Sequence, residues 1–177
     1  MPDGNVPATS PAFHHPAQVG VVVRDLDRVT AELTRIFGIG PFRTITYPPA
    51  DRPDIERWYY GEPGDFTYRQ AFVDLGSIEL ELIQPVSGHS IWSDFLDQHG
   101  EGIHHIRFNT FDLDGIVSHL AGFGIQAAMQ GSGLRPGTMW ANFDSESAVG
   151  FTIEVMKALP GTSGRTPGTV SRPVGAD

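Results

Sequence analysis

The chain has 177 residues, no cysteine, and a formal net charge of −9 from 21 acidic against 12 basic residues. Disulfide scaffolds, thiolate metal sites and cysteine nucleophiles are thereby excluded. A nucleic-acid-binding surface is not expected either, because the basic residues occur singly and Lys157 is the sole lysine.

The 40% hydrophobic fraction is enough for a folded core. No apolar run nears the ~18 residues that a membrane-spanning helix needs. The first residues, MPDGNVPATSPAF, lack the basic start and apolar stretch of a secretory signal. The expectation is a cytoplasmic protein with neither nucleic acid nor membrane as partner. Residues 1–15 are rich in Pro, Gly and small polar residues and are expected to form a disordered tail, as are residues 159–177.

From Gln18 the chain runs QVGVVVRDLDR, an alternating strand that enters a helix through Asp25-Leu26-Asp27. The helix VTAELTRIFGIG stops at Phe-Gly-Ile, where Gly38 suits a left-handed cap. Three extended segments follow, at about 42–48, 66–74 and 77–84. The stretch PPADRPDIERWYYGEPGD interrupts them and reads as a loop or flap. SIWSDFLDQHG then reads as a linker helix over 89–101.

From His105 the pattern begins again. HIRFNTFDLDG alternates and enters a helix through Asp112-Leu113-Asp114, and IVSHLAGFGI stops at Phe-Gly-Ile with Gly124. Extended segments are expected at 126–130, 137–143 and 150–157. The last strands of the two copies share an apolar-Glu-apolar centre, Leu80-Glu81-Leu82 and Ile153-Glu154-Val155. Each copy is thus β-α-β-β-β, the first over 16–88 and the second over 102–158. The fold class is α+β: two βαβββ modules pairing into a curved mixed sheet around a central cavity.

Strand alternation sorts the faces. Val19, Val21 and Val23 face the first helix, which leaves Gln18 on the opposite side. Leu80 and Leu82 leave Glu79 and Glu81 there; Ile106 and Phe108 leave His105, Arg107 and Asn109; Ile153 and Val155 leave Glu154. Gln18, Glu81, His105 and Glu154 stand at repeat-equivalent points and converge if the modules pair by a pseudo-twofold. One imidazole, two carboxylates and one amide oxygen form a sulfur-free set for one divalent ion: Zn²⁺, Ni²⁺, Co²⁺, Mn²⁺ or Mg²⁺. His14 and His15, just before the first strand, are substitute ligands if Gln18 does not bind. His89, His99 and His119 read as polar surface.

The repeat, these positions and the segment GEGIHHIRF (100–108) resemble the vicinal oxygen chelate superfamily, over about residues 16–157. The superfamily includes glyoxalase I, methylmalonyl-CoA epimerase, extradiol dioxygenases and bleomycin-resistance proteins. IELELIQP, a short helix and GEGIHHI are most similar to the epimerase branch. The resemblance makes His105, not His104, the ligand, and places Asp65 near the epimerases' other catalytic carboxylate. A Gln/Glu/His/Glu set is instead similar to eukaryotic-type glyoxalase I, which implies Glu81 as a base. A single aligned His departs from the two-His, one-Glu set of the iron dioxygenases.

The resemblance therefore implies a metal-dependent isomerase, epimerase or lyase working by proton abstraction beside a carbonyl. The alternatives are a glyoxalase I-like lactoylglutathione lyase, or a non-catalytic small-molecule binder of the antibiotic-resistance type. Glu154 is the first candidate base, since a ligating carboxylate can loosen and accept a proton; Glu81 and Asp65 are the others. Arg107 and Asn109 are expected to meet an anionic group, and Tyr60 and Phe66, in the aromatic stretch from Trp58 to Tyr68, an apolar or aromatic part of the substrate. The expected partner is a small anionic or aromatic carbonyl compound or an acyl-CoA, bound by a homodimer formed through free strand edges.

Overall fold

The computed structural model describes residues 13 and 15–159. The expected disordered tails and His14 lie outside the described residues, apart from Phe13, His15 and Leu159. No helix among the described residues is long and apolar enough to cross a membrane.

The first copy folds as β1 (Pro16–Val22), α1 (Leu26–Phe37), β2 (Arg43–Tyr47), β3 (Arg57–Tyr59), β4 (Glu62–Pro63), β5 (Thr67–Asp74) and β6 (Glu79–Ser87). Helix α2 (Ile91–His99) follows. The second copy gives β7 (Gly102–Thr110), α3 (Leu113–Ala121), β8 (Ala127–Ser132), β9 (Met139–Phe143), α4 (Glu146–Val149) and β10 (Thr152–Lys157).

The repeated Asp-Leu-Asp does the same work twice. Asp25 accepts the backbone N–H of Arg28 at 2.9 Å, and Asp112 that of Gly115 at 2.9 Å, each satisfying an orphan donor of the first turn. The stops differ. Gly38 caps α1 with φ 68°, as expected. Helix α3 ends earlier, at Ala121, because Gly122 follows and the chain tightens through Phe123 N–H to the Leu120 carbonyl. Gly124 (φ 76°) closes that extra turn rather than capping the helix.

All ten strands form one sheet in the order β2-β5-β6-β1-β7-β10-β9-β8-β3-β4. The two copies meet at the antiparallel pair β1–β7, and each copy's last strand runs parallel to its first, β6 beside β1 and β10 beside β7. A pseudo-twofold between β1 and β7 follows from this order, and the sheet curves into a half-barrel.

One face carries the helices. Val23, Ala71 and Leu82 pack with Leu26 of α1, and Ala141, Phe143 and Val155 with Leu113 and Ile116 of α3. The concave face holds Val22, Tyr47, Phe66, Tyr68, Ile83, Met129 and Trp140, with Trp92 and Leu96 brought in by α2. Burying side chains of this size stabilises by about 1.5–3 kcal/mol each. The linker helix is therefore also a lid on the concave core.

The stretch expected to be a loop or flap is partly sheet. β3 pairs with β8, Arg57 opposite Gly131 and Tyr59 opposite Met129, and turns through Tyr60 (φ 48°) and Gly61 (φ 83°) into β4. Without it the outer edge of β8 would present unpaired backbone groups. The insertion thus leaves the first copy and completes the second. Two further bonds tie the halves across the mouth: the Tyr47 hydroxyl donates to the Ser132 carbonyl at 2.9 Å, and Ser132 N–H to the Glu56 carbonyl at 2.9 Å. The Arg52 guanidinium also bonds the Leu134 carbonyl.

Candidate metal centre and its cavity

Backbone register places the site. Gly20 of β1 lies opposite both Glu81 of β6 and His105 of β7, so a glycine separates the two side chains at the centre of the sheet. A Cβ on Gly20 would stand 2.0 Å from Cε1 of His105 and 2.2 Å from its Nε2. The imidazole lies across β1 in the space that this glycine leaves. On the other side, Glu154 of β10 pairs with Arg107 of β7 and Asn142 of β9.

Glu81, His105 and Glu154 come together, with ligand atoms all within 4.8 Å of one another. Nε2 of His105 is 2.8 Å from Oε2 of Glu154 and 3.4 Å from Oε2 of Glu81. Neither contact counts as a hydrogen bond at Nε2, yet both are ion pairs once the imidazole is protonated. Two carboxylates that converge on one imidazole nitrogen also suit convergence on a shared cation. On the other ring nitrogen, Nδ1 of His105 lies 3.1 Å from Nδ1 of His104.

Gln18 is wholly buried one alternation away, opposite Glu79 and Arg107. Its Nε2 donates to Oε1 of Glu79 at 2.7 Å. A carboxylate accepts only, so the amide nitrogen must face Glu79, and Oε1 is left buried without a partner among the described residues. Two carboxylate oxygens, one imidazole nitrogen and an unpartnered amide oxygen are donor types that suit a hard or borderline divalent cation.

Charge within the cluster is uneven. Burial disfavours a charged His105, but the fields and contacts of Glu154 and Glu81 outweigh it and raise its pKa to about 9. Burial pushes Glu81 up, helped by the charge of Glu154 and opposed by His105. Burial would also raise Glu154, yet His105 and Arg107 hold it below the usual carboxylate value.

The cluster opens on a cavity of about 450 Å³, counted with its mouth. Glu81, Glu154, Arg107 and Gln70 supply its polar lining, and Tyr47, Tyr68, Phe72, Trp92, Trp140 and Met156 most of the rest. Arg107 reaches Oε1 of Glu79 at 3.3 Å while its Nε is buried without a partner among the described residues. The Tyr68 hydroxyl is kept protonated by burial, with Tyr47, Glu81 and Glu154 adding to the effect.

Other expected residues lie elsewhere. Asp65 is exposed in the turn before β5, and Tyr60 is about half exposed at the tip of the β3–β4 hairpin. Phe66 is 1% exposed, enclosed by Tyr68, Trp92 and Trp140, and Asn109 is half-buried; none of the four lines the cavity. The aromatic stretch contributes core at Phe66 and rim at Tyr60, because its strands alternate and its hairpin bends outward. His15 is exposed. His89 contacts Asp94 at 3.3 Å, His99 contacts Glu146 at 3.7 Å, and the ring of His119 meets Phe123.

Sequence reading missed Gly20, Gln70 and the tryptophans Trp92 and Trp140. A signal existed for Gly20, since an isolated glycine within a strand marks close approach by another group. Trp92 and Trp140 gave none, because their place depends on how α2 and β9 reach the concave face.

A model of the Glyoxalase/Bleomycin resistance protein/Dioxygenase superfamily matches residues 17–143. Among solved structures, methylmalonyl-CoA epimerase from Mycobacterium tuberculosis superposes with a TM-score of 0.62 at 21% identity, covering 86% of this chain and 93% of that one. A variant of Streptomyces coelicolor methylmalonyl-CoA epimerase in complex with 2-nitronate-propionyl-CoA gives 0.59 at 19% identity, covering 86% and 98%. A methylmalonyl-CoA epimerase in complex with methylmalonyl-CoA and NH4+ gives 0.56 at 20% identity, covering 80% and 92%. These likenesses show a shared fold. In sequence, the uncharacterized protein YqjC of Bacillus subtilis (strain 168) is 47% identical over 38 residues, which is 22% of this chain. That match spans 27% of the relative's length.

Proposed function

The chain belongs to the Glyoxalase/Bleomycin resistance protein/Dioxygenase superfamily, and on that premise we propose that it is a metal-dependent isomerase or lyase that removes a proton beside a substrate carbonyl. The observation that supports this above any other is the buried Glu81–His105–Glu154 cluster on the wall of a cavity. Gln18, Glu81, His105 and Glu154 would hold one divalent ion. When bound, such an ion supplies a Lewis acid that lowers the cost of negative charge on a carbonyl oxygen.

The chain's own groups do the rest. Glu154 and Glu81 both approach Nε2 of His105, at 2.8 and 3.4 Å, and either carboxylate would take a proton from a substrate held in the adjoining cavity, with Glu154 the first candidate for base. Arg107 has a buried N–H left to orient an anionic or carbonyl group. The Tyr68 hydroxyl stays protonated as a donor, and the rings of Tyr47, Trp92 and Trp140 exclude water.

Epimerases of this fold bind methylmalonyl-CoA and 2-nitronate-propionyl-CoA, so a short acyl-CoA is the first substrate class for this chain. The Gln/Glu/His/Glu donor set favours one second reading, a glyoxalase I-like lyase acting on the hemithioacetal of methylglyoxal and glutathione.

Metal content decides first. Wild type should carry about one divalent ion per chain after loading, and a chain with His105→Ala and Glu154→Ala together should carry none. A correctly folded wild type that takes up no ion rejects the enzyme reading and leaves a small-molecule binding protein as the better account.

A further inference from the structure

Asn142 is 0% exposed, and neither its Nδ2 nor its Oδ1 has a hydrogen-bond partner among the described residues. A strand position facing a packed interior rarely keeps an amide unpaired at both ends, because nothing offsets the hydration it has lost. Its place in the register says what it serves. Asn142 in β9 is the antiparallel partner of Glu154 in β10, so the two side chains stand on one face with Cβ atoms about 4.5–5.5 Å apart. Trp140, two residues earlier on that face, lines the cavity together with Glu154.

The repeat supplies an internal comparison. Across the pseudo-twofold, the strand partner of Glu81 is Phe72 of β5. The same position therefore accepts an apolar side chain beside one carboxylate and carries an amide beside the other. Oε2 of Glu154 faces Nε2 of His105 at 2.8 Å, and its other carboxylate oxygen belongs to the side chain that is the direct strand partner of Asn142.

We propose that Asn142 is the positioning residue for Glu154. The amide makes no bond to Glu154 as the structure stands; with a cation drawing one carboxylate oxygen, its N–H would hold the other. This rests on the metal reading above. Groups that hold a ligating side chain from behind change metal affinity by about 10–100-fold when removed.

The test is Asn142→Val in the full chain, with Mn²⁺ and Zn²⁺ affinities measured by calorimetry and the melting temperature of the metal-free protein measured beside them. Valine is close to asparagine in volume, suits a strand and brings no polar atom. Both affinities should fall about 10–100-fold, while the metal-free melting temperature holds or rises because an unpaired buried amide has gone. Unchanged affinity in the variant overturns the assignment and leaves the metal site standing. A fall in metal-free stability in step with affinity also overturns it, by making Asn142 a packing residue. A wild type that binds neither ion overturns both the assignment and the reading beneath it.

Discussion

Gly20 and His105 are cross-strand partners at the centre of the sheet, and the imidazole occupies the volume that any Cβ on Gly20 would need. The cluster of Glu81, His105 and Glu154 is thus shaped by a missing side chain as well as by its own three. Gly20→Ala should force His105 off its position between Glu81 and Glu154. Overpacking of this kind costs about 1–3 kcal/mol, to be read as a lower urea midpoint. The metal should be lost more completely than the fold, because a ligand displaced by an ångström no longer ligates. Full metal occupancy in this variant would mean that the imidazole has another way to reach the ion.

Acidity should control loading. His105 in the metal-free cluster has a pKa of about 9 against 6.5 for an ordinary histidine. Its folded value is the higher, so its ion pairs stabilise the metal-free protein fully below 6.5, and that contribution is lost as pH rises through about 9. A cation competes with this proton for Nε2, so its apparent affinity should rise about tenfold per pH unit until about 9. Melting curves with and without Mn²⁺ across that window should therefore converge at the acid end and separate toward the alkaline end. A metal-induced shift independent of pH would remove His105 from the ligand set.

Much of the fold was legible because the chain says it twice. Asp25 and Asp112 start helices by the same bond, and the apolar-Glu-apolar centres at Glu81 and Glu154 reach the same concave face. Strand alternation carries that far, since it depends only on neighbours in sequence. It could not reveal that Trp58 and Tyr59 of the first copy pair with β8 of the second, because strand pairing between distant segments has no local signature. For the same reason Tyr60 and Phe66 look alike in sequence and end on opposite sides of burial. Asp65 was carried by resemblance across an insertion, and an added hairpin moves whatever follows it.

The bridge between the sheet's two halves should be separable from the metal. Tyr47→Phe removes the hydroxyl that donates to the Ser132 carbonyl and keeps the ring stacked on Tyr68, 4.8 Å between centroids. A net hydrogen bond of this kind contributes about 0.5–1.5 kcal/mol. Denaturant unfolding should show a loss of that order with metal stoichiometry unaltered. A loss of metal with it would mean that the two halves need the bridge to hold the ligands in register.

The tryptophans report directly on where the ion sits. Of the three in the chain, Trp92 and Trp140 line the cavity beside Glu81 and Glu154, whereas Trp58 lies in the outlying strand β3 and is not part of that lining. Co²⁺ held by the cluster should quench the emission of wild type, because a paramagnetic ion at short range shortens an indole's excited state. In a chain with Trp92→Phe and Trp140→Phe, the remaining Trp58 emission should change little on Co²⁺ addition at the same occupancy. Strong quenching of Trp58 in that variant would place the ion near the insertion hairpin. The ligand set would then have to be sought among the carboxylates of that hairpin instead of on the concave face.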